Sequence, residues 1–299
     1  MSGFKHFAIA GAGNLGSFIA EEFLKLKEAG VVATVLILTR GSNESSQNLA
    51  ALGATIALVD YTSGSDLASL LSKYSIDVLI STVSGGGYVF EPGMAKAALS
   101  SGVKLFLPAE FGVRSTGRTD EFLAGRTKLH KELEEMGLPY LLCFSGQWAD
   151  WSFNPYFGWD IPNGKISIPG EGKTPISWTT RRDVGRFVAH ILTTLPPDQF
   201  LWKTICIEGD RKSMKDIANA YISKTGKAIA VTHTPISELE HTIASEPSPW
   251  TQPYVLAWLQ LAWDKGEGVP AKTEEEWSMR LWPEWKPKGV VEALLETYP

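Results

Sequence analysis

Residues 5–16 read Lys5-His6-Phe7-Ala8-Ile9-Ala10-Gly11-Ala12-Gly13-Asn14-Leu15-Gly16, a short apolar run that breaks into G-x-G-x-x-G. The glycine motif alone is weakly specific. Its context makes it informative: a strand-like run precedes it, and Phe18, Ile19, Phe23 and Leu24 follow at roughly helical spacing over Ser17–Glu28. Gly11 permits the tight turn, Gly13 lets backbone approach a pyrophosphate, and Gly16 lets the helix pack on the strand, with Asn14 and Leu15 completing the turn. The helix N-terminus then offers N–H groups and a positive dipole end to phosphates. The stretch predicts a dinucleotide-binding βαβ unit.

The pattern continues outward. Val31–Thr39, Thr55–Val59, Asp77–Val83, Lys104–Pro108 and Leu138–Phe144 read as strands, and Asp66–Lys73, Glu91–Ser100 and Glu121–Met136 as helices. This alternation predicts an α/β fold, a Rossmann-type doubly wound parallel sheet with ligands beyond the carboxyl ends of its strands. The boundary falls at residue 150. A dinucleotide-binding domain spans 1–150 and a smaller lobe spans 151–299, with segments near 183–210 returning to the sheet. Arg181-Arg182-Asp183 reads as a helix start, and Thr273–Glu276 as a capping signature.

Arg40 ends the second strand, 24 residues after Gly16, where an NAD site carries Asp or Glu. Arginine fits a 2′-phosphate bidentately, with Ser42 and Asn43 as further donors, so the expected cofactor is NADP(H). The loop Thr82-Val83-Ser84, followed by three glycines, lies by fold beside the nicotinamide ribose.

Composition narrows the classes. Lys plus Arg is 28 against 33 Asp plus Glu, a net charge of −5 that argues against a nucleic-acid binder working by phosphate neutralisation. No apolar stretch reaches membrane-span length, and the N-terminus lacks the form of a signal peptide. Cys143 and Cys206 each sit in an apolar run and read as buried thiols; the protein is expected to be cytoplasmic. The five histidines have no metal spacing, so no metal site is expected. The sequence leaves the oligomeric state open.

Four features together resemble the isoflavone reductase-like and NmrA-like proteins, atypical relatives of the short-chain dehydrogenases. They are the fingerprint, Asp60-Tyr61 after the third strand, Leu107-Pro108-Ala109-Glu110-Phe111-Gly112, and Gly137-Leu138-Pro139-Tyr140. The resemblance covers residues 5–150 and continues weakly to about 226. It implies a Rossmann domain, a smaller C-terminal lobe, a cleft for an aromatic or polyketide-like molecule, and NADPH-dependent reduction or redox sensing. It adds Asp60, Pro108 and Glu110 to the expected cofactor contacts. No Tyr has Lys four residues on, as ordinary short-chain dehydrogenases require. The reductases of this branch carry a lysine on the helix before Gly-Ile-Pro-Tyr. Counting back eleven residues from Gly137 places Arg126 there, with Leu129 and Leu133 on the following apolar positions, whereas counting forward from Phe122 gives Gly125; neither is Lys. Arginine donates hydrogen bonds and stabilises an oxyanion, but it is a poor proton shuttle.

The aromatic stretch after the sixth strand supplies the remaining candidates. Gln147, Trp148, Trp151, Phe153, Trp159 and Trp178 are expected to line a cleft for a flat apolar ligand, with Asp150 or Tyr156 as proton source. All eleven tryptophans lie from Trp148 onward, and most of the six from Trp250 to Trp285 are expected to pack the small lobe. The sequence therefore predicts an NADP(H)-dependent reductase of an aromatic or polycyclic small molecule, of a kind found in secondary metabolism. A redox-neutral isomerase, cyclase or dehydratase is the first alternative, because Arg126 replaces the lysine. A non-catalytic NADP(H) sensor is the second.

Overall fold

The computed structural model describes residues 3–299. Its first half alternates β1 (His6–Ala10), α1 (Gly16–Glu28), β2 (Thr34–Thr39), α2 (Glu44–Ala51), β3 (Thr55–Leu58) and α3 (Gly64–Lys73). Next come β4 (Val78–Ser81), a 3₁₀ turn at Gly85–Phe90, α4 (Glu91–Ser100), β5 (Leu105–Leu107), α5 (Ala124–Met136) and β6 (Leu141–Phe144). The strands are parallel in the order β3-β2-β1-β4-β5. The Phe106 N–H donates to Pro139 O at 2.8 Å and carries the sheet to β6, and Lys203–Cys206 adds the last strand alongside it. The order reverses between β1 and β4, so the crevice of a doubly wound sheet opens at their carboxyl ends.

Helices cover both faces, which is why β1, β2 and β4 are apolar along nearly their whole length. α1 and α6 (Arg181–Thr194) share one face, and Gly185 sets their separation: a Cβ there would lie 2.9 Å from Phe18 O. Thr180 caps α6, its hydroxyl accepting the Asp183 N–H. Cys143 pairs with Ile205, not Cys206, so the two thiols lie on opposite faces of the sheet as free cysteines. α2 escaped the sequence reading because ESSQNLAA has no apolar period. Its formation rests on a capping box in which Asn43 accepts the Ser46 N–H and Ser46 accepts the Asn43 N–H.

The smaller lobe holds two three-stranded sheets. One joins Gln147–Trp148, Pro175–Thr179 and Asp210–Ser213, and the other Trp159–Asp160, Lys165–Pro169 and Ala230–Thr234. Helices Met214–Thr225, Ile236–Ser245, Gln252–Asp264 and Val290–Thr297 complete it. Phe153, Phe157, Trp159, Trp178, Tyr221 and Trp263 form its core. Two expectations need correction. Trp277 and Trp285 pack on the Rossmann sheet, one on each face, and Trp282 stacks on His190 of α6, so the tail wraps back over the larger domain. Thr273–Glu276 starts no α-helix; only a single 3₁₀ turn forms at Glu274–Glu276. Among the described residues, no helix is long and apolar enough to cross a membrane.

Candidate active site

The glycine loop sits where β1 meets α1. Gly11 has φ +105°, a conformation that excludes most side chains, and a Cβ on Gly16 would fall 2.1 Å from Gly11 O and 2.4 Å from Thr82 Oγ1. A Cβ on Gly13 would meet nothing, because that residue faces open space. Thr82 fastens the loop to the end of β4, its hydroxyl lying 3.0 Å from Gly11 O. Leu15 is buried beneath the loop and Asn14 is exposed, its carbonyl accepting from Arg181 Nη1 at 3.3 Å.

A cleft of about 390 Å³ runs over this loop. Gly11, Gly13, Arg40, Thr82, Val83 and Ser84 line it, together with Ser42, Asn43 and Tyr61. The residues fit a dinucleotide phosphate: an open glycine backbone, one arginine, and the N-terminus of α2 all face one space. Asn43 has its side-chain oxygen committed to capping α2. Asp60 and Pro108 lie outside the lining. The Asp60 carboxylate accepts the Thr62 N–H at 2.9 Å, and this bond, the Thr62 hydroxyl and nearby Arg40 hold its pKa below the usual carboxylate value. Tyr61 takes its place in the cleft wall, with its hydroxyl donating to Leu38 O at 2.7 Å.

Tyr88, next after Gly87 in the chain, packs on Arg126 in a buried basin of charged side chains outside the cleft lining. Glu110, 1% exposed, accepts from Arg126 Nη1 at 3.3 Å and pairs with His130 Nε2 at 2.7 Å. Arg126 and His130 are one turn apart on α5, so one face presents both to the same carboxylate. Lys128, paired with Glu132, is 78% exposed, so Arg126 and not Lys128 is the buried cation of this helix face. Glu91, 2% exposed at the start of α4, accepts the Ala109 N–H at 2.8 Å, and burial pushes its carboxyl up to about 7. Arg126 stacks on Tyr88, with its guanidinium carbon 4.1 Å from the ring centre. Burial opposes the Arg126 charge, but Tyr88, Glu110 and Glu91 together raise its pKa above the ordinary arginine value. Arg126 Nε has no hydrogen-bond partner among the described residues.

Sequence reasoning named Arg126, and named Glu110 as a cofactor contact although it lies outside the cleft lining and pairs with Arg126 and His130; it did not single out Tyr88, Glu91 or His130 for this cluster. Each of the three lies far in sequence from the fingerprint and carries no motif. Only the one-turn spacing of Arg126 and His130 was there to be read.

The aromatic stretch is placed otherwise than expected. Phe153, Trp159 and Trp178 are 4%, 0% and 0% exposed and form lobe core, so they are corrected from ligand contacts to packing residues. Asp150 accepts the backbone N–H of Arg181 at 3.0 Å and its Nε at 3.2 Å, and thereby props the residue that holds Asn14. Tyr156 donates to Gln252 O at 2.9 Å. Both side chains thus have partners other than the Arg126 cluster. Gln147 donates to Ser152, Trp148 Nε1 donates to Phe111 O at 3.0 Å, and Trp151 meets Trp148 edge to face. The aromatic wall beside Arg126 is a different set. Tyr88, Phe122 and Trp250 meet with ring centres 6.1 Å apart for Tyr88–Trp250 and 5.3 Å for Phe122–Trp250, and Trp250 is 46% exposed.

A model of the NmrA-like family matches residues 6–287. An isoflavone reductase homologue of Arabidopsis thaliana is 26% identical over 262 residues, 82% of each chain. The oxidoreductase swnR of Metarhizium robertsii is 28% identical over 259 residues, 79% of this chain and 78% of that one. Among solved structures, leucoanthocyanidin reductase from Vitis vinifera in complex with NADPH superposes with a TM-score of 0.83 at 22% identity, covering 97% of this chain and 98% of that one. At this identity the likeness is one of fold.

Proposed function

The chain belongs to the NmrA-like family, and from that premise we propose that it is an NADP(H)-dependent reductase of an aromatic small molecule. The observation that carries the reading is the cleft that brings Arg40, the open backbone of Gly13, Thr82 and Gly87 together, with Tyr88, next after Gly87 in the chain, packed on the buried cation Arg126. Arg40 and the α2 N-terminus would hold a 2′-phosphate, and the glycine loop the pyrophosphate. The names of the relatives, a reductase homologue and an oxidoreductase, support the chemistry, and an NADPH complex among the neighbours supports the cofactor.

Bound along this cleft, a nicotinamide cofactor would supply a hydride to an electrophilic carbon. The chain's own residues act on the oxygen attached to it. Arg126 keeps its charge at every working pH and donates hydrogen bonds, so its role is to polarise the acceptor oxygen and stabilise negative charge there. Glu110, fixed by His130, holds the guanidinium in place. Tyr88, Phe122 and Trp250 offer the apolar faces against which an aromatic substrate stacks.

The test is consumption of NADPH, followed at the reduced-nicotinamide absorbance, against a panel of aromatic ketones, enones and quinones. Turnover with NADPH supports the reading. Tight binding of both redox forms with no turnover overturns it in favour of a sensor. The arginine at the lysine position favours one other reading, redox-neutral isomerisation or dehydration, which is established if product forms while NADPH is not consumed.

A further inference from the structure

Reduction of a carbonyl-type acceptor requires a proton as well as a hydride. The oxygen gains an electron pair as the C–O π bond breaks, and it must be protonated. Arg126 is a poor source, since it does not lose its proton in proteins. Asp150 is bonded to Arg181 and Tyr156 to Gln252. Glu110 is shared between His130 and Arg126, and Glu91 is buried against Ala109 with 2% of its surface exposed. Tyr61 donates to Leu38 O and His130 is paired with Glu110, which leaves Tyr88, next to the cleft-lining Gly87.

We propose that Tyr88 is the proton donor of this reaction, and that Arg126, stacked on its ring, stabilises the phenolate left behind. The proposal rests on the reading of the chain as a reductase. Tyr88 directly follows Gly87, which lines the cofactor cleft, and it sits in the 3₁₀ turn Gly85–Phe90. Its hydroxyl makes no hydrogen bond among the described residues. Its ring lies between the Arg126 guanidinium at 4.1 Å and the half-exposed Trp250 at 6.1 Å. Burial raises the Tyr88 pKa above the ordinary phenol value, with Arg126 opposing the rise and Glu91 and Glu110 adding to it. The phenol therefore keeps its proton at neutral pH until an acceptor oxygen becomes basic.

The step balances. The hydride from the nicotinamide forms the new C–H bond, the π electrons move to oxygen, and the phenolic O–H bond of Tyr88 breaks to form the product O–H. The cofactor is oxidised, the acceptor is reduced, and water returns the proton to the phenolate.

The experiment compares Tyr88→Phe with wild type on two acceptors, an aromatic ketone and a para-quinone, with turnover normalised to bound NADPH. A ketone leaves a strongly basic alkoxide and needs the acid; a quinone leaves a far less basic oxygen and does not. The expected result is a fall of about 10²-fold in kcat with the ketone and little change in KM, the size typical of a lost general acid. The NADPH affinity, measured by fluorescence titration, stays close to wild type, and the quinone rate falls far less than the ketone rate. Unchanged ketone turnover, or equal loss with both acceptors, overturns the assignment of Tyr88 while the reductase reading stands. A wild-type protein that binds NADPH and consumes it with neither acceptor overturns the reading, and the proposal with it.

Discussion

The cofactor cleft and the charged basin are built on different principles. The cofactor end is made of backbone: Gly11, Gly13 and Gly16 come from one turn, and their constraints are steric. The basin is made of side chains from three elements, the Gly85–Phe90 turn running into α4, the loop after β5, and α5, and its constraints are electrostatic. Space lost in the first blocks the cofactor, whereas charge lost in the second leaves a buried carboxylate without its cation. The largest predicted effect tests the second principle. Arg126→Ala strips Glu110 of its guanidinium and leaves only His130 beside a carboxylate that is 1% exposed. Chemical denaturation should show a loss of about 3–5 kcal/mol, the usual cost of breaking a buried pair by removing one partner. Arg126→Lys should lose much less. A loss below about 1 kcal/mol for Arg126→Ala, the range of exposed ion pairs, would break the comparison.

Glu91 gives the next effect, and it depends on pH. Its folded carboxyl titrates at about 7 because of burial, whereas an unfolded chain ionises it near the ordinary value of 4.5. Between those values the folded state binds more protons, so this group makes stability fall as pH rises through that window and level off above it. Glu91→Gln keeps an oxygen for the Ala109 N–H and removes the titration. Thermal melts should show the variant equal to wild type near pH 4.5 and more stable above pH 7, by an amount on the order of 3 kcal/mol. Identical pH profiles for the two proteins would exclude Glu91 as the buried acid of the basin.

The same division explains what the sequence made legible. Strands covered on both faces announce themselves as apolar runs, and the glycine loop is contiguous, so β1–β6 and the cofactor end were readable from residues 5 to 144. Arg126 was found only because Gly137 anchored a count along one helix. Tyr88 and Glu91 were not found, because what makes them unusual is burial beside Arg126, a relation between segments some 35 residues apart. The aromatic stretch misled for a physical reason. Trp159 and Trp178 are apolar enough for a ligand wall, but they lie on strands of the small lobe's two sheets and fill its core. Trp250, on the loop between two late helices, supplies the exposed ring instead.

Two smaller effects sharpen the cofactor end. Gly16→Ala must displace Gly11 O or Thr82 Oγ1, since its Cβ would sit 2.1 Å and 2.4 Å from them. A stability loss of about 1–3 kcal/mol, typical of overpacking, should accompany weaker NADPH binding. Gly13→Ala meets no protein atom, so it should fold as wild type and lose only cofactor affinity. That pair of results would separate a glycine required by packing from one required by the ligand.

Arg40 gives the smallest effect and the most selective one. It is exposed at the mouth of the cleft, and its charge already interacts with Asp60, so removing it disturbs no buried group. Arg40→Ala should leave the melting temperature unchanged and weaken NADPH by about tenfold, the worth of one charge-assisted hydrogen bond. NADH, which lacks the 2′-phosphate, should bind the variant as it binds wild type. Equal losses for both cofactors would mean that Arg40 contacts the adenine or the ribose ring instead. The preference for a 2′-phosphate would then have to come from the backbone N–H groups at the start of α2, whose cap Asn43 already faces the same cleft.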